Sequence, residues 1–152
     1  MNQFVPVLSV GQIRMLAVAD KIEPLGRRQF NLSRWFDPDC GTPACIAGHA
    51  IWEKYKEQGY SRERCESRLH NAQHASEAAE YFEIDGNTAL NLFMPFARDL
   101  FPKGTILGRP IEHIMFADDR ARRLVTGRWA AATLRHLVRT GEVDWQVGRG
   151  QP

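Results

Sequence analysis

Apolar and polar positions recur with a helical period along most of this chain, and the breaks in the period fall on residues that end helices. Ser9 is suited to cap a helix from about Val10 to Glu23, with Ile13, Leu16, Ala17 and Ile22 on or near one face and Pro24 and Gly26 to stop it. Thr42 followed by Pro43 predicts a second start, because threonine caps free N–H groups and proline at the first helical position loses no hydrogen bond. This helix, about 43–57, should stop at Gly59. The ten residues from Pro43 to Trp52 contain no Asp, Glu, Lys or Arg. A helix apolar on every side for that long belongs inside a bundle, and Ala44, Ala47 and Gly48 give it a stripe of small residues for close packing.

The aromatic-rich connection from Phe30 to Phe36 should tuck Phe30, Trp35 and Phe36 under the core, before turn chemistry at Asp37-Pro38-Asp39. Ser61 to Leu69 reads as a charged, solvated helix that places Cys65 among exposed residues. Asn71 is expected to cap a helix through Phe82, burying Ala72, Ala75, Ala79 and Phe82. Asp85 caps another with Ala89, Leu90 and Phe93 inward, ended by Pro95. From Phe101 to Met115 the pattern lapses amid Pro102, Gly104, Gly108 and Pro110, which predicts an ordered loop with one turn of helix. The last helix runs from about Thr126 to Thr140-Gly141, burying Trp129, Leu134, Leu137 and Val138. Trp145 then docks, and residues 146–152 fray. The predicted fold is mainly α: a single-domain, irregular helical bundle around a buried central helix, with β-structure minor at most.

Composition adds bounds. At 152 residues, 43% hydrophobic and 25% charged, the chain is of globular type and long enough to bury a core without staples. No apolar run approaches the roughly 20 residues of a membrane helix, so no membrane partner is expected. The start, Met1-Asn2-Gln3-Phe4, lacks the basic residues of a secretory signal, and three cysteines do not make a disulfide framework, so the expected location is cytoplasmic. Residues 1–97 hold 10 Lys/Arg against 12 Asp/Glu, whereas residues 98–152 hold 10 against 6. The C-terminal third is therefore mildly basic.

Few residues carry candidate chemistry. Cys45 falls at the third position of the predicted central helix, where free N–H groups favour a thiolate, and His49 lies one turn on. The pair is a candidate nucleophile and base; beside it stands the plainer reading of a small buried hydrophobe and a core histidine. Papain-type sites draw their histidine from a distant strand, and no sheet is predicted to supply one. Cys40 and Cys45 are spaced to form a redox pair. Cys40, Cys45, His70 and His74 make a candidate zinc set, at loose spacing, and no cofactor is otherwise indicated. Arg128, Arg135 and Arg139 share one face of the last helix, with Arg120, Arg122 and Arg123 just before it. Arg120, Arg123, Arg128, Arg135 and Arg139 are the candidate binding surface, beside the alternative of a merely solvated helix face.

Phe30-Asn31-Leu32 with Trp35, Cys40-Gly41-Thr42, Cys45-Ile46-Ala47-Gly48-His49-Ala50, Ala79 with Phe82, Ala89 with Leu92-Phe93, and Gly141-Glu142-Val143-Asp144-Trp145 form a combination. Through it the chain resembles a scattered group of small uncharacterised bacterial and tailed-phage proteins. The likeness spans positions 30 to 145, and its specific part is the Cys-Gly-Thr-x-x-Cys-Ile-Ala-Gly core. Similar proteins often carry tryptophan where His49 stands. The resemblance implies a shared fold and a phage-related or mobile-element role, and brings no activity. The expected function is thus a non-enzymatic binding or accessory role, on a protein or nucleic-acid partner, through the basic last helix and the Phe101–Met115 loop. The alternative is a thiol-dependent enzyme using Cys45 and His49.

Overall fold

The first helix is set by a reciprocal cap. In the computed structural model, which describes residues 6–38 and 41–150, Ser9 Oγ accepts from Gln12 N (3.1 Å) and Gln12 Oε1 accepts from Ser9 N (2.8 Å). Outside the described residues lie the N-terminal start, Asp39 of the predicted turn, Cys40 and the last two residues of the expected tail. Helix α1 (Val10–Ile22) follows and buries Gly11, Met15, Val18, Ala19 and Ile22. Ile13 and Ala17, expected inward, are exposed. The buried set repeats at i, i+4, i+7, i+8 and i+11, so the inward stripe is centred one step round from the expected one, with glycine as a contact residue.

The central helix α2 (Ile46–Glu57) begins three residues later than Thr42-Pro43 suggests. Those two residues form strand β2 (Thr42–Pro43), paired antiparallel with β1 (Phe36–Asp37). The ribbon takes the backbone groups a helix would need: Ala44 N donates to Trp35 O (3.1 Å), and Ala44 O accepts from Asn31 N (2.9 Å). Cys45, extended at φ −112° and ψ 177°, is the N-cap. Helix α2 then buries Ile46, Ala47, Gly48, Ala50, Ile51 and Tyr55, as its lack of charge implies. A Cβ on Gly48 would stand 2.1 Å from the Trp35 carbonyl oxygen, so only glycine lets ribbon and helix meet.

Ser61 caps α3 (Arg62–Asn71), which buries Cys65 and Leu69 one turn apart. Cys65 is therefore a core residue, contrary to its charged sequence neighbours. Asn71 ends this helix rather than starting the next, since Ala72 is extended; α4 (His74–Phe82) follows. Asp85 caps α5 (Gly86–Phe93) through Thr88 N (2.9 Å), as expected, with Ala89, Leu92 and Phe93 inward but Leu90 about half exposed. A short helix, α6 (Ala97–Leu100), comes next. Residues 101–115 hold a hairpin, β3 (Thr105–Ile106) with β4 (Arg109–Pro110), and one 3-10 turn at Ile111–His113. Helix α7 (Ala117–Arg123) precedes α8 (Gly127–Thr140), which Thr126 caps through Trp129 N (3.1 Å).

The fold is mainly α. Helix α8 packs most extensively on α1, and α2 on α4, around one continuous core from Met15 to Trp145. Trp145 is buried and its Nε1 donates to Asn91 O (2.9 Å). The tail is ordered further than expected: Gln146 Nε2 donates to Asp99 O, and Gly148 is buried against Trp129. Among the described residues, no helix is long and apolar enough to cross a membrane.

Candidate functional sites

The cysteine of the central segment is spent on the helix it begins. Cys45 Sγ accepts from Gly48 N at 3.3 Å, and the side chain is buried. Burial pushes the thiol up to about 11, against the lowering effect of the Gly48, Ala47 and Cys45 amides. A thiolate at neutral pH is therefore scarce, and the site opposes a Cys45 nucleophile. Cys45 and Cys65 are free thiols. The Cys40 half of the redox pair, and the Cys40 position of the zinc set, lie outside the described residues.

His49 is placed differently. It lies with Trp52 and Glu53 on a partly buried flank of α2, and these three line a cleft of about 650 Å³. Lys21 from α1, Leu25 and Gln29 from the connection after it, Thr42 and Pro43 from β2, Tyr60 just before α3, and Arg62 and Cys65 on α3 complete its walls. Cys45 is not part of the lining. The His49 Nε2 is enclosed with no hydrogen-bond partner, the one such buried side-chain N or O among the described residues. Burial lowers the imidazole to about 4, opposed by Glu53 and assisted by Lys21, so His49 is neutral near pH 7.

Two other histidines, His70 and His74, are bound into aromatic contacts. His74 stacks on Trp35 (4.9 Å between centroids, 10° between planes) and its Nε2 lies 2.7 Å from Leu69 O; His70 meets Phe36 edge-on. Among the described residues, no group of three or more His, Cys, Asp or Glu side chains stands together to hold a metal ion. Cys45 is thus not brought to His70 and His74.

The expected arginine surface is only partly available. Arg135 bridges α8 to α1, donating to Asp20 (2.8 Å) and Glu23 (2.7 Å); Glu23 is lowered in turn by that hydrogen bond. Arg123 is paired with Asp119 at 2.7 Å. Arg122 donates to Pro95 O (2.9 Å). Arg120, Arg128 and Arg139 remain exposed.

A second surface lies just before α8. Asp118 Oδ1 accepts from Ala97 N (2.7 Å), tying the start of α7 to the start of α6. The residues that lead into these two helices, Phe96 and Phe116, are 58% and 76% exposed; their neighbours Met94 and Met115 are 38% and 73% exposed. Phe116 holds a left-handed backbone (φ 55°), as does the exposed Leu107 at the hairpin tip (φ 50°). Among the described residues, no ion pair is made by Arg98, Lys103, Arg109 or Arg120. The segment 94–123 carries six Lys/Arg against four Asp/Glu. The sequence gives one signal for this surface: Met94, Phe96, Met115 and Phe116 are large apolar residues standing outside any helical period.

No known family, curated protein or solved structure matches the chain.

Proposed function

We propose that the chain is a non-enzymatic binding or accessory protein, of the bacterial or phage-related kind and cytoplasmic, whose partner is a protein with an acidic surface seated on the 94–123 face. The observation that carries this reading is Phe116: a large aromatic side chain, 76% exposed, on a backbone that disfavours any residue but glycine or asparagine. Exposed apolar groups clustered among polar ones mark interaction surfaces, and methionine and aromatic residues are the types that interfaces favour. The unpaired cations around the cluster supply charge complementarity to an acidic partner and steer its approach. The centre of the surface thus moves from the last helix to the segment before it, because Arg135 is already neutralised by Asp20 and Glu23.

The free, buried Cys45 and Cys65 accord with a reducing compartment. The thiol-enzyme alternative finds no support in a cysteine that is buried and acting as a cap.

A photo-crosslinking side chain at position 116, with a control at the exposed position 63 on α3, tests the reading in cells of the source type. A discrete protein adduct from position 116 only, lost on Phe96→Ser, is expected. Equal adducts from both positions, or none from 116, would overturn it. So would binding of single-stranded DNA or RNA that Phe96→Ser removes, since exposed aromatics beside arginines also suit base stacking.

A further inference from the structure

The cleft beside α2 is a second site, independent of the protein-binding face. Its volume of about 650 Å³ falls inside the range that holds small organic molecules. Its chemistry is divided by depth. Leu25, Pro43, Trp52 and Tyr60 supply apolar and aromatic wall, a surface suited to a flat or branched hydrocarbon body.

Charge is concentrated around Glu53. Its carboxylate, with a side chain only 17% exposed, is shared by two ammonium groups: Lys21 from α1, and Lys56 from the same helix at 3.6 Å. The lysine side chains are 44% and 52% exposed and so stand nearer the mouth. One carboxylate cannot neutralise two ammonium groups, which leaves about one positive charge at the rim. Arg62 on the facing wall is already engaged with Glu66 at 3.0 Å.

We propose that this cleft binds a small organic monocarboxylate, its apolar body against Trp52 and Tyr60 and its carboxylate at Lys21 and Lys56. The depth of the walls against the rim position of the ammonium groups sets that orientation. A phosphate ester suits the site less. The caps of α2 and α3 already take the Gly48 and Arg64 amides, and the one arginine in the lining is paired. His49 contributes an uncharged ring to the wall, which adds no charge to the lysine pair; its Nε2 is enclosed in the protein and does not face the ligand.

The test uses the full chain and isothermal titration with benzoate, 1-naphthoate and octanoate, each against its uncharged amide, and with pyrophosphate and ATP. Saturable binding of at least one carboxylate, about tenfold or more tighter than its amide, is expected. Lys21→Met and Lys56→Met together should weaken it about tenfold, with the far-ultraviolet circular dichroism unchanged. Trp52→Ala should weaken the carboxylate and its amide alike. Absence of saturable binding by all three carboxylates up to about 5 mM overturns the proposal. Affinity that does not respond to the lysine pair overturns it too, as does tighter lysine-dependent binding of pyrophosphate or ATP. Because none of these residues lies on the 94–123 face, failure here leaves the protein-partner reading intact.

Discussion

The thiol of Cys45 and the backbone amide of Gly48 form the hydrogen bond that begins the central helix, at 3.3 Å. A sulfur in this position satisfies one of the helix's free N–H groups and has no access to solvent. Cys45→Ala is expected to cost about 1–2 kcal/mol through the lost cap and contact, read by urea denaturation. In the native protein, burial raises the Cys45 thiol to about 11, so a thiol reagent should modify it only as fast as the protein opens. Fast modification of native Cys45 at about pH 6 would contradict this.

Gly48 meets the Trp35 carbonyl where a side chain would begin, 2.1 Å from an added Cβ. Alanine gains about 1 kcal/mol over glycine within a helix, yet Gly48→Ala should destabilise by about 1–3 kcal/mol, because the ribbon must move away from the helix. Gly48→Leu should cost more. A raised melting temperature in Gly48→Ala would show that ribbon and helix are not locked together.

His49 makes stability depend on pH in a defined window. Its native value is lowered by burial to about 4, from an unfolded value near 6.5, so the unfolded chain binds the proton more readily. The contribution is fully present above about pH 6.5 and is lost progressively as pH falls to about 4, where the loss reaches about 3 kcal/mol. Glu53 and Lys21 face the same ring and act in opposite senses on it. His49→Gln should therefore flatten the stability–pH curve across this window, measured by urea denaturation at a series of pH values. Parallel curves for the two proteins would contradict a buried neutral imidazole.

Three described non-glycine residues have a left-handed backbone: Glu83, Leu107 and Phe116. Glu83 has a role in the fold, since its Oε2 accepts from Gly11 N at 3.2 Å. Leu107 and Phe116 point into solvent and hold nothing in place. Phe116→Gly and Leu107→Asn are each expected to leave stability unchanged or raise it by up to about 1 kcal/mol, while Phe116→Gly weakens partner capture. Marked destabilisation by Phe116→Gly would mean that the phenylalanine serves the fold instead.

The fold was largely legible because its signals are local. Ser9, Asp85 and Thr126 cap the helices the pattern assigns to them, and the run without charge after Pro43 does enter the core. The start of that helix was not legible, since Thr42-Pro43 has the local chemistry of a helix start and yields it to hydrogen bonds with Trp35 and Asn31, which are set by tertiary pairing. Burial of Cys65 was hidden for a similar reason: its neighbours are charged, and only the register of α3 turns it inward together with Leu69. The arginine strip shows the reverse. Arg128, Arg135 and Arg139 do align on α8, but the sequence does not reveal that Asp20 and Glu23, more than a hundred residues earlier, take up Arg135. The cleft draws its walls from three helices and a ribbon, so no single stretch of sequence announces it.

The central claim is that the 94–123 face, rather than the basic last helix, holds the partner. The most direct measurement is the affinity of the protein captured at position 116 for three forms of the chain: unaltered, Phe96→Ser with Phe116→Ser, and Arg128→Glu with Arg139→Glu. All four positions are exposed, so each variant should keep the native fold. The account predicts a loss of about tenfold or more for the phenylalanine pair and about threefold or less for the arginine pair. The opposite order, with the arginine pair abolishing binding and the phenylalanine pair leaving it intact, would contradict it.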